Sequence, residues 1–300
     1  MALRSYISMI YYVLIIFVIV SCHALVDDEF QEFEKKPVLN GVLIADSTIS
    51  LQVIFSASLN DSTPLPVENA IVILFSKGLT DTLLHDKVGW YKSDQTAMAG
   101  QLYRCVISIP GYDTVSAETI VPKPTEISNI QFTDFAGLTN EGEKISSYRV
   151  TISNDTAQSM YWDVRMIEEG IHTMFNWDTQ KLEERFFSNY FSIYMIPGKD
   201  IVMLNEASPL TIFSNQMMDE NRYDITFYYS EELRSGYDNY IELRSIDRSY
   251  YEFQKQYYLY YTADFDQIGS SPQNYPLYSN VTNGLGIFTA YSATRWNIKP

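Results

Sequence analysis

The chain predicts a mainly β protein, built as two consecutive antiparallel β-sandwich domains with one amphipathic helix near the C-terminus. Three observations carry this expectation. Short segments rich in Val, Ile, Leu and Tyr, partly alternating in period two, recur along most of the sequence. Turn chemistry separates them in LNDSTPLP, KGL, AMAG and PGYD, where Pro, Gly, Asn and Asp supply the breaks. One stretch, SIDRSYYEFQKQYYLYYTADFD from Ser245, spaces its aromatic side chains as a helix does.

The first segment is an export signal. Arg4 is its one charge, and residues 6–20 carry none. That run is the length of a signal-peptide core and short of the roughly 20 residues a membrane span needs. Ile19, Val20, Ser21 and Cys22 resemble a bacterial lipobox. The resemblance makes residues 1–21 a lipoprotein signal peptide and leaves Cys22 as an acylated N-terminus. Several acyl chains together hold a membrane stably where one binds marginally. Residues 22–37 then form an acidic tether containing VDDEFQEFE.

Residues 38–122 read as the first sandwich. VLNGVLI, TISLQVIFSAS, ENAIVILFS, DTLLHD, GWYKS, QLYRCVISI and TVSAETIV give a strand density that matches an antiparallel sandwich. VPKPTE, from Val121, is the linker, because its two prolines do not continue a central strand. Residues 123–300 form a second β-rich domain from ISNIQFTDF, KISSYRVTIS, SMYWDVRMI, RFFSNYFSIYMI, YDITFYYS and NYIELRSI. The stretch 172–189, HTMFNWDTQKLEERFFSN, is ambiguous between a loop and a short helix.

The helix is expected near 248–262. Ser249 and Glu252 have capping-box spacing, and Asp247 is a second N-cap candidate. Tyr250, Phe253, Tyr257, Tyr260 and Tyr261 share one face, with Tyr251 and Tyr258 about 100° round the cylinder. Either the helix lies in a crevice and buries both flanks, or Tyr251 and Tyr258 offer their rings to a ligand or partner. Trp162 and Trp177 join them as candidate contacts.

Charge and motif content narrow the function. The formal net charge is −16, and loss of Arg4 with the signal peptide takes it to −17. Phosphate backbones repel such a surface, so no nucleic-acid partner is expected. With Cys22 acylated, Cys105 has no disulfide partner and reads as a small buried hydrophobe. The three histidines, His23, His85 and His172, share no helix face at metal spacing, and neither G-x-S-x-G nor a P-loop is present. The pairs Glu168–Glu169 and Glu183–Glu184 point to opposite faces of a strand and read as solvated surface. DFDQIG, from Asp264, is a poor calcium loop. The expectation is a protein without catalytic residues, metal or cofactor.

The closing YSNVTNGLGIFTAYS, from Tyr278, lacks the third glycine of a dinucleotide fingerprint. Asn283-Gly284 fits a turn with positive φ, and Gly286 lets the backbone pass close to another element. Ile287, Phe288 and Tyr291 then supply a packing surface, so the motif reads as architecture.

PLYSNVTNGLGIFTAYS, preceded by LRSIDRSYYEFQKQYY, resembles the end of a Bacteroidota outer-membrane lipoprotein family catalogued as a domain of unknown function, family 4249. The lipobox Cys, PVLNGVLIADSTISLQV, VENAIVILF, PGY and VPKP appear in that family's order. SSPQNYP stands where the family often has Glu-Pro. The first domain is also similar to Ig-like and transthyretin-like sandwiches. The resemblance implies no enzyme activity. It implies a lipid-anchored protein on the outer membrane facing the exterior, accessory to a TonB-dependent transporter in nutrient uptake. A structural or adhesive surface protein without a small ligand is the alternative.

Overall fold

The computed structural model describes residues 34–58, 63–196, 202, 211–263 and 277–298. The stretch expected to be a signal peptide, Cys22 and the DFDQIG segment lie outside the described residues. Alternation in the sequence becomes alternation in space. In β1 (Pro37–Ile44) and β2 (Thr48–Phe55), every second side chain, including Leu39, Leu43, Ile49, Leu51 and Val53, turns inward. β3 (Ile71–Ser76), β6 (Leu102–Ser108) and β7 (Val115–Ile120) alternate in the same way, β5 (Trp90–Thr96) does so at Tyr91 and Ser93, and β4 (Leu79–His85) buries Leu83 alone. Tyr103, Cys105 and Ile107 of β6 are all buried. Burial pushes the Cys105 thiol up to about 12, so it stays protonated and packs as a hydrophobe.

The later strands are β8 (Ile127–Leu138), β9 (Lys144–Ser153), β10 (Tyr161–Asn176), β11 (Lys181–Tyr190), β12 (Ile212–Ser214), β13 (Arg222–Tyr229), β14 (Asp238–Ile246) and β15 (Leu285–Ile298). The single described α-helix is α1 (Arg248–Ala263). The described residues are mainly β, with one α-helix near the C-terminus. The stretch left between loop and helix is neither: residues 172–189 belong to a β-hairpin formed by β10 and β11.

Twelve strands share one sheet, in the order β11-β10-β14-β15-β1-β2-β5-β4-β3-β6-β7, with β12 also paired to β10. The other three form a smaller sheet, β13-β9-β8. A sheet of that width curls or splits, and this one curls at its β7 end. Ser116 of β7 bridges Thr282, just ahead of β15, with N···O distances of 3.2 and 2.8 Å. The first core, which includes Leu51, Val72, Ile107 and Val115, lies inside that curl and takes Phe288 and Ala290 from β15. The second lies between β10-β14-β15 and the small sheet, where Trp162, Met166 and Leu243 meet Val150 and Phe227. A third, smaller cluster packs Tyr250 and Tyr251 of α1 on Ile212, Ile246, Tyr161 and Tyr291.

Among the described strands, β1 pairs with β15 in parallel, Val38 opposite Leu285 through Ile44 opposite Tyr291. The closing motif makes it fit. Gly41 lies opposite Phe288, and a Cβ there would stand 2.6 Å from Leu51 Cδ2. A Cβ on Gly286, at φ +97°, would overlap the Leu39 carbonyl. Asn283 has φ +57°, and its amide donates to Thr114 O at 3.0 Å.

Candidate functional site

β10 runs for 16 residues, about 50 Å at strand rise. From Tyr161 to Glu169 it sits inside the sheet against β14, and from Gly170 opposite Phe187 to Asn176 opposite Lys181 it pairs with β11 alone. This leaves a two-stranded ribbon, and a ribbon needs help to hold its shape. Help comes from both ends. At the base, a Cβ on Gly170 would overlap the Tyr237 ring, which packs edge-on to Phe187 at 5.0 Å. Arg234 donates to both oxygens of buried Glu168 and stacks on Tyr237 with its guanidinium 4.9 Å from the ring centre. At the tip, Asn176 Oδ1 accepts from the Asp178 and Thr179 amides at 2.9 and 3.2 Å. Glu183 accepts from Asn176 Nδ2 at 2.9 Å and from Thr179 Oγ1 at 2.8 Å. The Asn176 hydrogen bond, followed by that from Thr179, holds the Glu183 carboxyl below its ordinary value.

The ribbon is amphipathic. Cross-strand partners share a face, so His172–Arg185, Met174–Glu183 and Asn176–Lys181 stand on one side. Ile171–Phe186, Thr173–Glu184 and Phe175–Leu182 stand on the other. On that second side Ile171 is 63% exposed, Phe175 43%, Leu182 71% and Phe186 67%. Trp177, 82% exposed, packs edge-on against Phe175 at 5.0 Å. Scattered apolar residues are ordinary on a surface, whereas a contiguous row is the mark of a contact site.

The same side of β10 continues inward as a polar strip. Arg165 Nε donates to Asp163 at 2.9 Å, and Arg244 Nε and Arg295 Nε each donate to Glu242 at 2.6 Å. Arg295 also reaches Glu169 at 3.2 Å. Three guanidinium groups thus meet three carboxylates, and the strip holds no surplus charge for an anion. Tyr190 accepts from Arg244 at 3.2 Å and joins the strip to the ribbon. Burial pushes the Asp163 carboxyl up, with Arg165 and Arg244 opposing. Glu168 and Glu169 do point to opposite faces, but each is held by an arginine rather than left to solvent.

A cleft of about 1000 Å³ lies where β7 and the VPKP linker meet the start of α1. Its size suits a ligand, but its polar groups serve one another. Asp247 caps the helix through the Tyr250 amide at 2.8 Å and accepts from Thr119 at 2.6 Å and from Thr289. Asp155 accepts from Gln158 Nε2 at 2.7 Å. Ser249 Oγ, the other N-cap candidate, accepts from Asn280 Nδ2 at 3.1 Å. Among the described residues, no three His, Cys, Asp or Glu side chains gather to hold a metal ion. No described helix is long and apolar enough to cross a membrane.

The four aromatic candidates divide. Trp162 is fully buried, stacks on Phe213 at 5.3 Å and donates its indole N–H to Thr125 Oγ1 at 2.8 Å. Tyr251 is buried against Tyr161 at 4.8 Å. As contact residues both are corrected: each ring is consumed by packing. Tyr258 is half-buried, and Trp177 stands in the open. The exposed rings of α1 are instead Tyr257, Tyr260 and Tyr261, because the helix meets the sheet through its first turn. Phe288 is a core residue, and Asn280, which no sequence signal marks, brackets it: Nδ2 donates to Phe288 O at 2.7 Å and Oδ1 accepts from Phe288 N at 2.9 Å. The apolar row of the ribbon likewise escapes a reading of the sequence.

A family model described as Domain of unknown function (DUF4249) matches residues 25–296. The chain belongs to this family. In this DUF4249 protein the match takes in the first core, the β10–β11 ribbon and all but the last two residues of β15. No curated protein matches the chain.

Proposed function

We propose that this DUF4249 protein is a non-catalytic lipoprotein of the outer membrane, anchored through Cys22 and facing the cell exterior, where it assists a TonB-dependent barrel in nutrient uptake. The observation that carries the reading is the apolar row on the β10–β11 ribbon. A strongly acidic exported chain that holds five large apolar side chains out on one rigid ribbon is equipped to bind something beyond itself. The lipobox resemblance supplies the anchor, and the resemblance to outer-membrane lipoproteins supplies the class of partner.

The anchor is tested by comparing wild type with Cys22→Ala in fractionated cells. Wild type is expected in the outer-membrane fraction and open to protease added to whole cells, and the variant is expected in soluble fractions. A Cys22→Ala protein that stayed with the membrane would overturn the anchor.

A further inference from the structure

We propose that the apolar face of the β10–β11 ribbon docks on a second, different protein, one that presents apolar side chains on both sides of a basic residue. The proposal deepens the functional reading above and rests on it for the compartment. Its basis is the arrangement of the face. The pairs Ile171–Phe186 and Phe175–Leu182 form two apolar blocks, and the pair Thr173–Glu184 lies between them. Glu184 is exposed and makes no ion pair among the described residues. Once covered by an apolar surface, a carboxylate so placed needs a cation from the other side, since burying it unpaired is strongly unfavourable.

That carboxylate also decides between occupants. A second copy laid on the same face offers Glu184 no basic residue, since the face carries Ile171, Thr173, Phe175, Leu182, Glu184 and Phe186, and both carboxylates would be covered unpaired. A bilayer fits no better. Entering it tip first would carry Asp178 of the turn and Lys181 at the start of β11 toward hydrocarbon, at about 2.5 to 3.5 kcal/mol for each charge at mid-depth. Lying on it would bring Glu184, on a processed chain of net charge −17, onto anionic head groups. A protein with a basic residue between two apolar patches meets none of these penalties. The ribbon is also held in shape before binding, by the Arg234–Glu168 pair at its base and the Asn176–Glu183–Thr179 bonds at its tip. Little ordering entropy remains to be lost on association.

The test places a photo-crosslinking amino acid at position 182 of the full-length protein in intact cells, with and without Glu184→Lys. Glu184 is exposed, so the variant is expected to melt with the wild type. The proposal expects one adduct, with an outer-membrane protein identified by mass spectrometry, whose yield falls at least about tenfold with Glu184→Lys. An adduct with phospholipid, an adduct with the protein itself, no adduct, or a yield indifferent to Glu184→Lys would each overturn it. The two readings fail separately. An adduct with an outer-membrane protein other than a TonB-dependent barrel leaves the docking face standing and removes the transporter. A co-purifying barrel without an adduct at position 182 does the reverse.

Discussion

Gly286 shows how much one residue position decides. Two demands meet there, a φ of +97° and the close approach of the Leu39 carbonyl, and glycine alone satisfies both. Gly78, at φ +78°, has nothing within 4 Å of the place a Cβ would occupy, so it faces the backbone demand alone. Gly286→Ala is therefore expected to lose more stability in urea than Gly78→Ala, whose loss should be on the order of 1 to 2 kcal/mol. Equal losses would mean that the β1–β15 contact adds nothing. Asp247 makes a second test. Burial raises its carboxyl above the unfolded value of about 3.9. Over the interval between those two values the folded state holds more protons than the unfolded one, so this group's contribution to stability falls as pH rises. Asparagine caps a helix nearly as well and carries no charge. The melting temperature of Asp247→Asn minus that of wild type should grow from about pH 4 to pH 7. A difference that shrank over that range would contradict the assignment. Sequence suggests both residues, Gly286 for close approach and Asp247 as an N-cap. It is silent on Asn280, whose two bonds to Phe288 depend on a chain reversal visible only in space.

At the scale of elements, the ribbon is the hardest to read. Its strands carry KLEER and HTMFN, a mixture of charged, aromatic and unbranched residues with no Gly at the turn, so neither strand nor hairpin signal stands out. Strand preference depends on what lies across and beneath, and here that includes Tyr237 and Arg234, far along the chain. Gly170→Val should push the Tyr237 ring out of place. A loss of about 1 to 3 kcal/mol is expected, with amide exchange accelerated across 171–187 ahead of the cores. Uniform acceleration would mean that the ribbon is not a separate unit of stability. Trp177→Ser, at the open tip, should change stability by less than about 0.5 kcal/mol, as measured by thermal melting. A larger loss would show that Trp177 packs more than its single contact with Phe175. The helix is legible as an element but not in orientation. Its aromatic arc spans both flanks, and the choice of face is made by Tyr161 and Tyr291 on strands elsewhere.

At the scale of the whole molecule, the strand-rich character, the described helix and the pinned start of β15 all follow from alternation, turn chemistry and glycine placement. The joining of the two strand sets by β1 and β15 does not. That parallel pair links Val38 to Leu285, and a contact of such long range leaves no local trace. One consequence is that β15 serves both cores, through Phe288 and Ala290 in the first and Ile298 in the second. Phe288→Ala should cost about 3 to 5 kcal/mol and lower the denaturation midpoint of the first core. An unchanged midpoint would show that the first core stands without β15. The ribbon projects from the far end of the strands this shared sheet aligns, so the scaffold and the proposed contact face are one construction.

The measurement that bears most directly on the central claim is gentle detergent extraction of the native membrane, recovery of this protein, and mass spectrometry of what accompanies it. The account predicts a TonB-dependent barrel in stoichiometric amount. Recovery of the protein alone, under conditions that preserve a known barrel complex, would contradict it and leave a structural or adhesive surface protein in its place.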